Sequence, residues 1–341
     1  MGILSTLLGS RDNRGGARPH RPVCLRAAAP AEVETAVKLV LAGPNGQISQ
    51  GHLRDFLAFI NSRQSAMENL WIAEQDGKIL QSLLGVNNPG RTILLLSPPQ
   101  PEAGPSEHLL KSLVDSLCRT AAAQGVHLAQ ALLDPQDAVT QRAFYGSGFR
   151  LMAELIYLQT EIRSALPGPQ LHAGDQWVNY SPSTHELFRR AIQATYQDSL
   201  DCPALNGMRD IEDVIEGHKV AGEFDPGLWF VLVRGDNPIG VLLLAISRRH
   251  DQMELVYLGL APEARGKQIG ALLMRQALTL AFQHKRARLT LAVDARNVPA
   301  IKLYYRHGLA RLTTKHALMF DLRTLVAAPA ASPSSCPHLV R

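Results

Sequence analysis

Two stretches of the chain carry the same hydrophobic rhythm. In the first, apolar runs at 70–73, 79–86 and 92–96 are separated by polar turn residues such as Asp76-Gly77. In the second, runs at 228–233, 239–246 and 254–260 are broken by Gly235-Asp236-Asn237-Pro238. Short apolar runs between turn residues predict strands. A helical face follows in each stretch: Leu109, Leu110, Leu113, Val114 and Leu117, then Ile269, Leu272, Leu273, Ala277 and Leu280. These fall on the i, i+3, i+4 spacing of an amphipathic helix. A strand comes next (127–133; 289–293), then a short helix ending at a glycine (136–148; 297–308), then a last strand (151–158; 317–322).

Each half therefore reads helix, three strands, helix, strand, helix, strand. Three hairpin-linked strands followed by a βαβ crossover predict a mixed, mostly antiparallel sheet flanked by helices, an α/β (α+β) fold. In this reading each half is closed by its own final strand. The repeat is the first organising fact about the chain, and it does not by itself indicate a function.

Punctuation places the boundaries. Arg11, Arg14, Arg18 and Arg21 stand among Gly and Pro, so 1–21 reads as a disordered basic lead-in. Pro167, Gly168, Pro169 and Gly174 mark 164–175 as a linker. The expected domains are 22–163 and 176–325, with an Ala/Pro/Ser-rich disordered tail at 326–341.

Composition narrows the classes. Of the 341 residues, 46% are hydrophobic and 19% charged, as in a globular protein with packed cores. The net charge of +5 suits an anionic ligand such as a nucleotide or CoA. The arginines are scattered, with no aromatic-interleaved stripe, so no nucleic-acid partner is expected. Arg248, Arg249 and His250 form the densest basic cluster and read as a solvated turn. The four cysteines, Cys24, Cys118, Cys202 and Cys336, show no metal or disulfide spacing. They suit a reducing, cytoplasmic setting. No apolar run is long enough for a membrane span, and no metal is expected.

The chemistry concentrates in MELVYLGLAPEARGKQIGALLM, positions 253–274. A strand ends at Leu260, and a loop holding Arg265, Gly266, Lys267, Gln268 and Gly270 opens directly into an apolar helix. The first amides of a helix lack internal partners and sit at the positive end of its dipole. Glycines let backbone approach a phosphate, and Arg265 and Lys267 add charge. The result is a pyrophosphate cradle. A hydrogen bond to a charged group contributes about 1.5–3 kcal/mol. A few of them would supply the roughly 8 kcal/mol of a micromolar ligand. Neither a P-loop nor a dinucleotide fingerprint is present.

This stretch resembles the fingerprint Q/R-x-x-G-x-G/A of the GNAT superfamily of N-acyltransferases. Arg265, Gly270 and Ala271 match it, while Gln268 stands where the first glycine is usual. The resemblance implies acetyl-CoA as co-substrate and a strand before the cradle that splays to offer backbone to pantetheine, here 257–260 with Leu258, Gly259 and Leu260. It extends to NVPAIKLYYRHGL, positions 297–309, similar to the family's N-x-x-A-x-x-L-Y-x-x-x-G-F. It implies that Asn297 touches the cofactor arm and that Tyr304 is the general acid for the leaving thiolate, with Tyr305 its nearest rival. Glu254 sits where histone-acetylating members keep a catalytic glutamate, and so is the expected base. The acceptor would be read at 196–207, where Asp198 and Asp201 could hold a cation.

The first half lacks this chemistry. Phe144 aligns with Tyr304, and SPPQPEAGP at 97–105 replaces the Arg/Gly loop with amide-poor prolines. It reads as a degenerate copy that buttresses the second half or walls its cleft, a tandem layout similar to that of the mycothiol synthases. The expected function is transfer of acetyl from acetyl-CoA to a primary amine, small-molecule or peptide, by direct attack in a ternary complex. The alternatives are a catalytically silent CoA-binding module and an acyl group larger than acetyl. The sequence sets no oligomeric state.

Overall fold

The computed structural model describes residues 22–42, 48–61, 68–99, 106–165, 167–205, 207–247, 251–326 and 339–340. The expected basic lead-in, most of the tail, the Arg248–His250 cluster and positions 100–105 of the altered first-half loop lie outside them.

The first half begins with strand β1 (Val23–Ala27) and helices α1 (Val33–Leu41) and α2 (Gln50–Asn61). The hairpin strands are β2 (Leu70–Gln75), β3 (Lys78–Asn88) and β4 (Thr92–Leu96). Helix α3 (Ser106–Ala123), β5 (Leu128–Leu133), α4 (Ala138–Gly146) and β6 (Arg150–Glu161) follow. The second half repeats the order. It runs β7 (Asp175–Asn179), α5 (His185–Tyr196), α6 (Ile211–Lys219), β8 (Trp229–Arg234), β9 (Asn237–Ser247) and β10 (Gln252–Leu260). It continues with α7 (Ile269–Gln283), β11 (Arg288–Asp294), α8 (Val298–Arg306), β12 (Ala310–Asp321) and α9 (Arg323–Val326). A two-residue strand, β13 (Leu339–Val340), lies beside β1.

The repeat extends to local chemistry. Asp137 caps α4 by accepting from the Thr140 amide at 3.0 Å, and Asn297 caps α8 by accepting from the Ala300 amide at 3.3 Å. Gly148 (φ 98°) and Gly308 (φ 81°) then end the two helices in the left-handed region where glycine is favoured.

All the described strands belong to one sheet, ordered β13-β1-β2-β3-β4-β5-β12-β6-β11-β10-β9-β8-β7. This corrects the expectation that each half closes with its own last strand. β6 pairs with β11 of the second half, and β12 pairs with β5 of the first. The two exchanged strands also pair with each other. The cores follow the exchange. Ile156 and Leu158 of β6 join the cluster under α7, whereas Leu318 and Leu322 join Phe144 and Phe149 under α3. The two strands carry similar alternation, and a strand's pattern fixes which face is buried, not which neighbour it pairs with.

The opposite faces are covered by α1 and α2 in the first half and by α5 and α6 in the second. The halves also meet at the β3–β4 turn. Arg91 Nε donates to the Asp213 carboxylate of α6 at 2.9 Å. A side chain on Gly90 would put its Cβ 2.3 Å from the Asp213 carbonyl oxygen, so only glycine allows the approach.

Two strand pairs are parallel, and they differ. β4 and β5 pair from Thr92 through Leu95, nearly the full length of β4. β10 and β11 pair only from Gln252 to Glu254, after which a bulge at Val256 turns β10 away. The second half therefore has an open wedge where the first has a closed ladder.

Candidate functional site

The wedge leads to the site. Beyond Glu254, strand β10 stays paired with β9 out to Leu260 but leaves its β11 side open. A cavity of about 40 Å³ sits in the opening, walled by Leu255, Tyr257, Leu258, Val293, Asn297, Tyr304 and Asp201. It adjoins a cleft of about 640 Å³ that shares Asp201, Tyr257, Leu258 and Asn297 with it. The cleft runs past Gly259 and Leu260 to Arg265, Gly266, Gln268, Gly270 and Ala271 at the start of α7.

The start of α7 is built as an amide cradle. Leu272 is the first residue to bond back within the helix, to the Gln268 carbonyl at 3.2 Å. The amides of Ile269, Gly270 and Ala271 have no carbonyl within the helix to reach. Gly266 (φ 72°) and Gln268 (φ 62°) both adopt left-handed backbone, so Gln268 occupies a conformation that glycine would take without strain. Its side chain is exposed, as is that of Lys267. A Cβ on Gly270 would lie 3.1 Å from Leu303 Cδ2, which shows how closely α8 packs on this turn.

Arg265 departs from its expected use. Its guanidinium donates to four backbone carbonyls: Leu260 (3.2 Å), Asp198 (3.1 Å), Thr195 (3.2 Å) and Gln197 (2.6 Å). It ties the cradle to the last turn of α5 and the loop beyond. A second cation, Arg306 at the end of α8, also lines the cleft. The sequence reading passed over it, although it lies three residues after Leu303 on the same helical face.

Gly259 is fixed by crowding. A Cβ there would fall 2.7 Å from Thr195 Oγ1 and 2.7 Å from the Tyr257 hydroxyl. Those two hydroxyls are themselves hydrogen-bonded at 2.7 Å. Neither Thr195 nor the Tyr257 hydroxyl was singled out from sequence. An alternating strand residue carries no mark of which cleft it faces.

Tyr304 is buried and lines the small cavity. Burial holds its phenol well above the ordinary tyrosine range, and the Asp201 charge adds to this. Its neighbour Tyr305 is 48% exposed and lines neither cavity. Glu254 stands at the apex of the wedge, the last residue of the β10–β11 ladder, and lines neither cavity. Its carboxyl is raised above the usual range by burial. Of the expected pair, the structure places Tyr304 on the cavity and leaves Glu254 off it.

The loop after α5 forms the remaining wall. Asp201 Oδ1 accepts from the Asp294 amide at 3.0 Å, and the Cys202 amide donates to Asp294 Oδ2 at 3.1 Å. Asn297 also donates to the Asp201 carboxylate. Arg296 holds the buried Asp294 carboxylate at 2.8 Å. Although burial opposes it, the hydrogen bonds from Arg296 keep that group below the usual range. Asp198 lines the cleft nearer the cradle. Among the described residues no group of His, Cys, Asp or Glu is arranged to hold a metal ion, and no helix is long and apolar enough to cross a membrane.

Comparison with known proteins follows the same division of the chain. Residues 192–309 match the family model described as "Acetyltransferase (GNAT) family". No curated protein matches the chain in sequence. Among solved structures, the chain is similar to a GCN5-related N-acetyltransferase from Sphaerobacter thermophilus. The identity is 14% and the TM-score 0.62, with 88% of this chain and 96% of that one covered. It is also similar to a tandem GNAT protein from the clavulanic acid biosynthesis pathway (14% identity, TM-score 0.53, 91% and 99% covered). A third likeness is to a GCN5-related glucosamine N-acetyltransferase region of a fungal multi-domain GH3 beta-N-acetylglucosaminidase (15%, TM-score 0.58, 89% and 38% covered). At these identities the likeness is one of fold, and it spans both halves. The family match falls on the half that carries the wedge and the amide cradle, so residues 192–309 are similar to a GNAT acetyltransferase domain, and the fold of both halves is the one seen in the GNAT structures.

Proposed function

We propose that the second half is an N-acetyltransferase that moves an acetyl group from acetyl-CoA to a primary amine by direct attack in a ternary complex. The observation that carries this reading is the continuous path from the unpaired amides of α7, along the unpaired edge of β10, to Tyr304. A diphosphate fits the cradle because the amides of Ile269, Gly270 and Ala271 converge there beside Gly266. Gln268 and Arg306 border the same mouth, Lys267 is exposed next to Gln268 in the chain, and Arg306 supplies charge that Arg265 gives to backbone carbonyls. The open edge of β10 at Leu258 and Leu260 suits an amide-bearing arm, which would add as an extra strand. Asn297 stands at the arm's far end.

Acetyl-CoA supplies an activated acyl group, and this chain's residues place it and move protons. Tyr304 holds its proton firmly enough to stay neutral at physiological pH and can donate it to a thiolate. Among the described residues no cysteine is arranged as an activated nucleophile, which favours direct transfer over an acyl-enzyme. The closed β4–β5 ladder gives the first half no wedge, and Phe144 there is a core ring packed on Phe149 at 4.9 Å. The first half then acts as a buttress, its β3–β4 turn braced on α6. The primary amine acceptor is a small molecule or a peptide, and a reducing cytoplasm is the proposed setting.

The test is CoA release measured with a thiol reagent across a panel of primary amines, beside calorimetry with acetyl-CoA. Tyr304→Phe is expected to lower turnover roughly ten- to a thousandfold, with acetyl-CoA affinity nearly unchanged. Binding without turnover on every amine would instead support a silent CoA-binding module.

A further inference from the structure

The expected base, Glu254, is off the cleft, so the proton of the incoming ammonium needs another acceptor. We propose that Asp201 is the group that takes it, an assignment that rests on the acetyltransferase reading above.

Position comes first. Asp201 lines both the large cleft and the small cavity that holds Tyr304, so it stands where the two spaces join. An amine entering the cleft passes this carboxylate on its way to the thioester. Tyr304, Tyr257 and Asn297 share the small cavity's wall with Asp201, and none of them is a carboxylate.

The loop is also built to hold Asp201 in place. Two non-glycine residues that bracket it, Asp198 (φ 52°) and Cys202 (φ 46°), adopt left-handed backbone. Such strain persists only where surrounding contacts over-determine it, and it gathers at functional sites. The contacts are present. Arg265 grips the Gln197 and Asp198 carbonyls, the Asp201 amide donates to Ser199 Oγ at 3.1 Å, the Asp294 amide donates to the Asp201 carboxylate, and the Cys202 amide donates to the Asp294 carboxylate. The α5–α6 connection is thus clamped to the cofactor cradle at one end and to β11 at the other. The Asp294 amide and the Asn297 side chain anchor the carboxylate, while the residue remains exposed to the cleft.

The surroundings favour proton exchange over permanent charge. The groups facing Asp201 are Asp294 from β11, Tyr304 from α8, Tyr257 from β10, Tyr196 from α5 and its neighbour Cys202. Arg296 is spent on Asp294. Poor solvation on this concave wall, then the nearby Asp294 charge, hold the Asp201 carboxyl above the ordinary range.

The protons balance as follows. The ammonium gives one proton to Asp201, which passes it to solvent. The freed nitrogen forms its bond to the acyl carbon while the C–S bond breaks and its electron pair goes to sulfur. Tyr304 O–H protonates that sulfur. The second proton leaving the nitrogen restores the phenol.

The experiment uses the full chain with two probes, an alkylamine that is charged at neutral pH and an alkoxyamine that is neutral there. Asp201→Asn keeps an oxygen for the Asp294 amide, and a thermal melt with acetyl-CoA calorimetry confirms the folded, cofactor-competent state. With the alkylamine, kcat is expected to fall about 100-fold or more, with KM changed less than about threefold. Activity should return as pH rises toward the amine's own pKa of about 10. With the alkoxyamine, the variant should stay within about threefold of the unmutated chain.

A rise in KM at unchanged kcat would make Asp201 a cation-binding residue and overturn the assignment. So would an unaffected variant, or a larger kcat loss in Glu254→Gln. If Asp201→Asn does not fold, the unmutated chain decides. Its kcat for the alkylamine must fall on the acid side through a group absent from the alkoxyamine profile, and a missing acid limb overturns the proposal. A wild-type chain that acetylates neither probe nor any amine of the panel would bring down the acetyltransferase reading itself.

Discussion

Arg265 Nη2 donates to the Gln197 carbonyl at 2.6 Å, joining the amide cradle to the C-terminal end of α5. The residue that the GNAT fingerprint marks thus holds the end of α5 and the loop after it with its side chain. Arg265→Ala should leave four carbonyls without their cation and cost about 1.5–3 kcal/mol, the range for charged hydrogen bonds. Thermal unfolding measures that loss. In kinetics the KM for amine should rise more than the KM for acetyl-CoA, because the loop, and not the amide cradle, loses its anchor.

Gln268 sits at φ 62° with an exposed side chain. A non-glycine residue there costs about 1–2 kcal/mol, against roughly 0.5–1 kcal/mol of extra chain entropy for glycine. Gln268→Gly is therefore expected to stabilise the protein slightly, by about 0.5–1 kcal/mol, with acetyl-CoA binding retained. A denaturant melt and calorimetry check the two halves of this statement.

Leu318 lies in β12 of the second half but is buried in the first half's core with Phe144 and Phe149. Leu318→Ala should cost about 2–5 kcal/mol, and the loss should appear in the first half. The fluorescence of Trp71, which packs on that cluster, reports it. For the same reason, cutting the chain at 164–175 should not release two independent folding units. Each fragment would lack the strand that completes its sheet, and co-expression should recover a complex of the two.

Glu254 has its folded-state pKa raised by burial. A raised carboxyl favours folding while it is protonated and loses that contribution as pH rises through the folded value. Glu254→Gln should accordingly raise the melting temperature at about pH 8. The advantage should vanish below about pH 4, where the native side chain is neutral in both states. Paired melts at the two pH values test the sign.

The sequence located several residues of the candidate site. Gly270 and Ala271 fall on the first turn of α7, and Tyr304 was reached by counting back from Gly308, because a helix's spacing fixes which residues share a face. Arg265 shows where such reading stops. A motif position identifies the residue, but a long flexible side chain can turn to any acceptor within reach, and only the packed loop put four carbonyls around it. Glu254 stands off both cavities for a related reason. Its place on β10 was right, but the bulge at Val256 decides which residues of that strand border the opening. Arg306 and Thr195 went unnoticed because their roles arise from neighbours distant in the chain.

What the sequence determined by itself was local and periodic: two copies of one strand-and-helix order, the capped helices, the glycine-rich start of α7 and the loss of that chemistry in the first copy. These follow from side-chain spacing and backbone preference within a few residues. Only the tertiary structure decided that β6 and β12 trade places, that the β10–β11 ladder opens while the β4–β5 ladder stays shut, and that Asp201 stands between two cavities. Each of these depends on which surfaces far apart in the chain bury each other, and an apolar strand face is satisfied equally well by either of two similar partners.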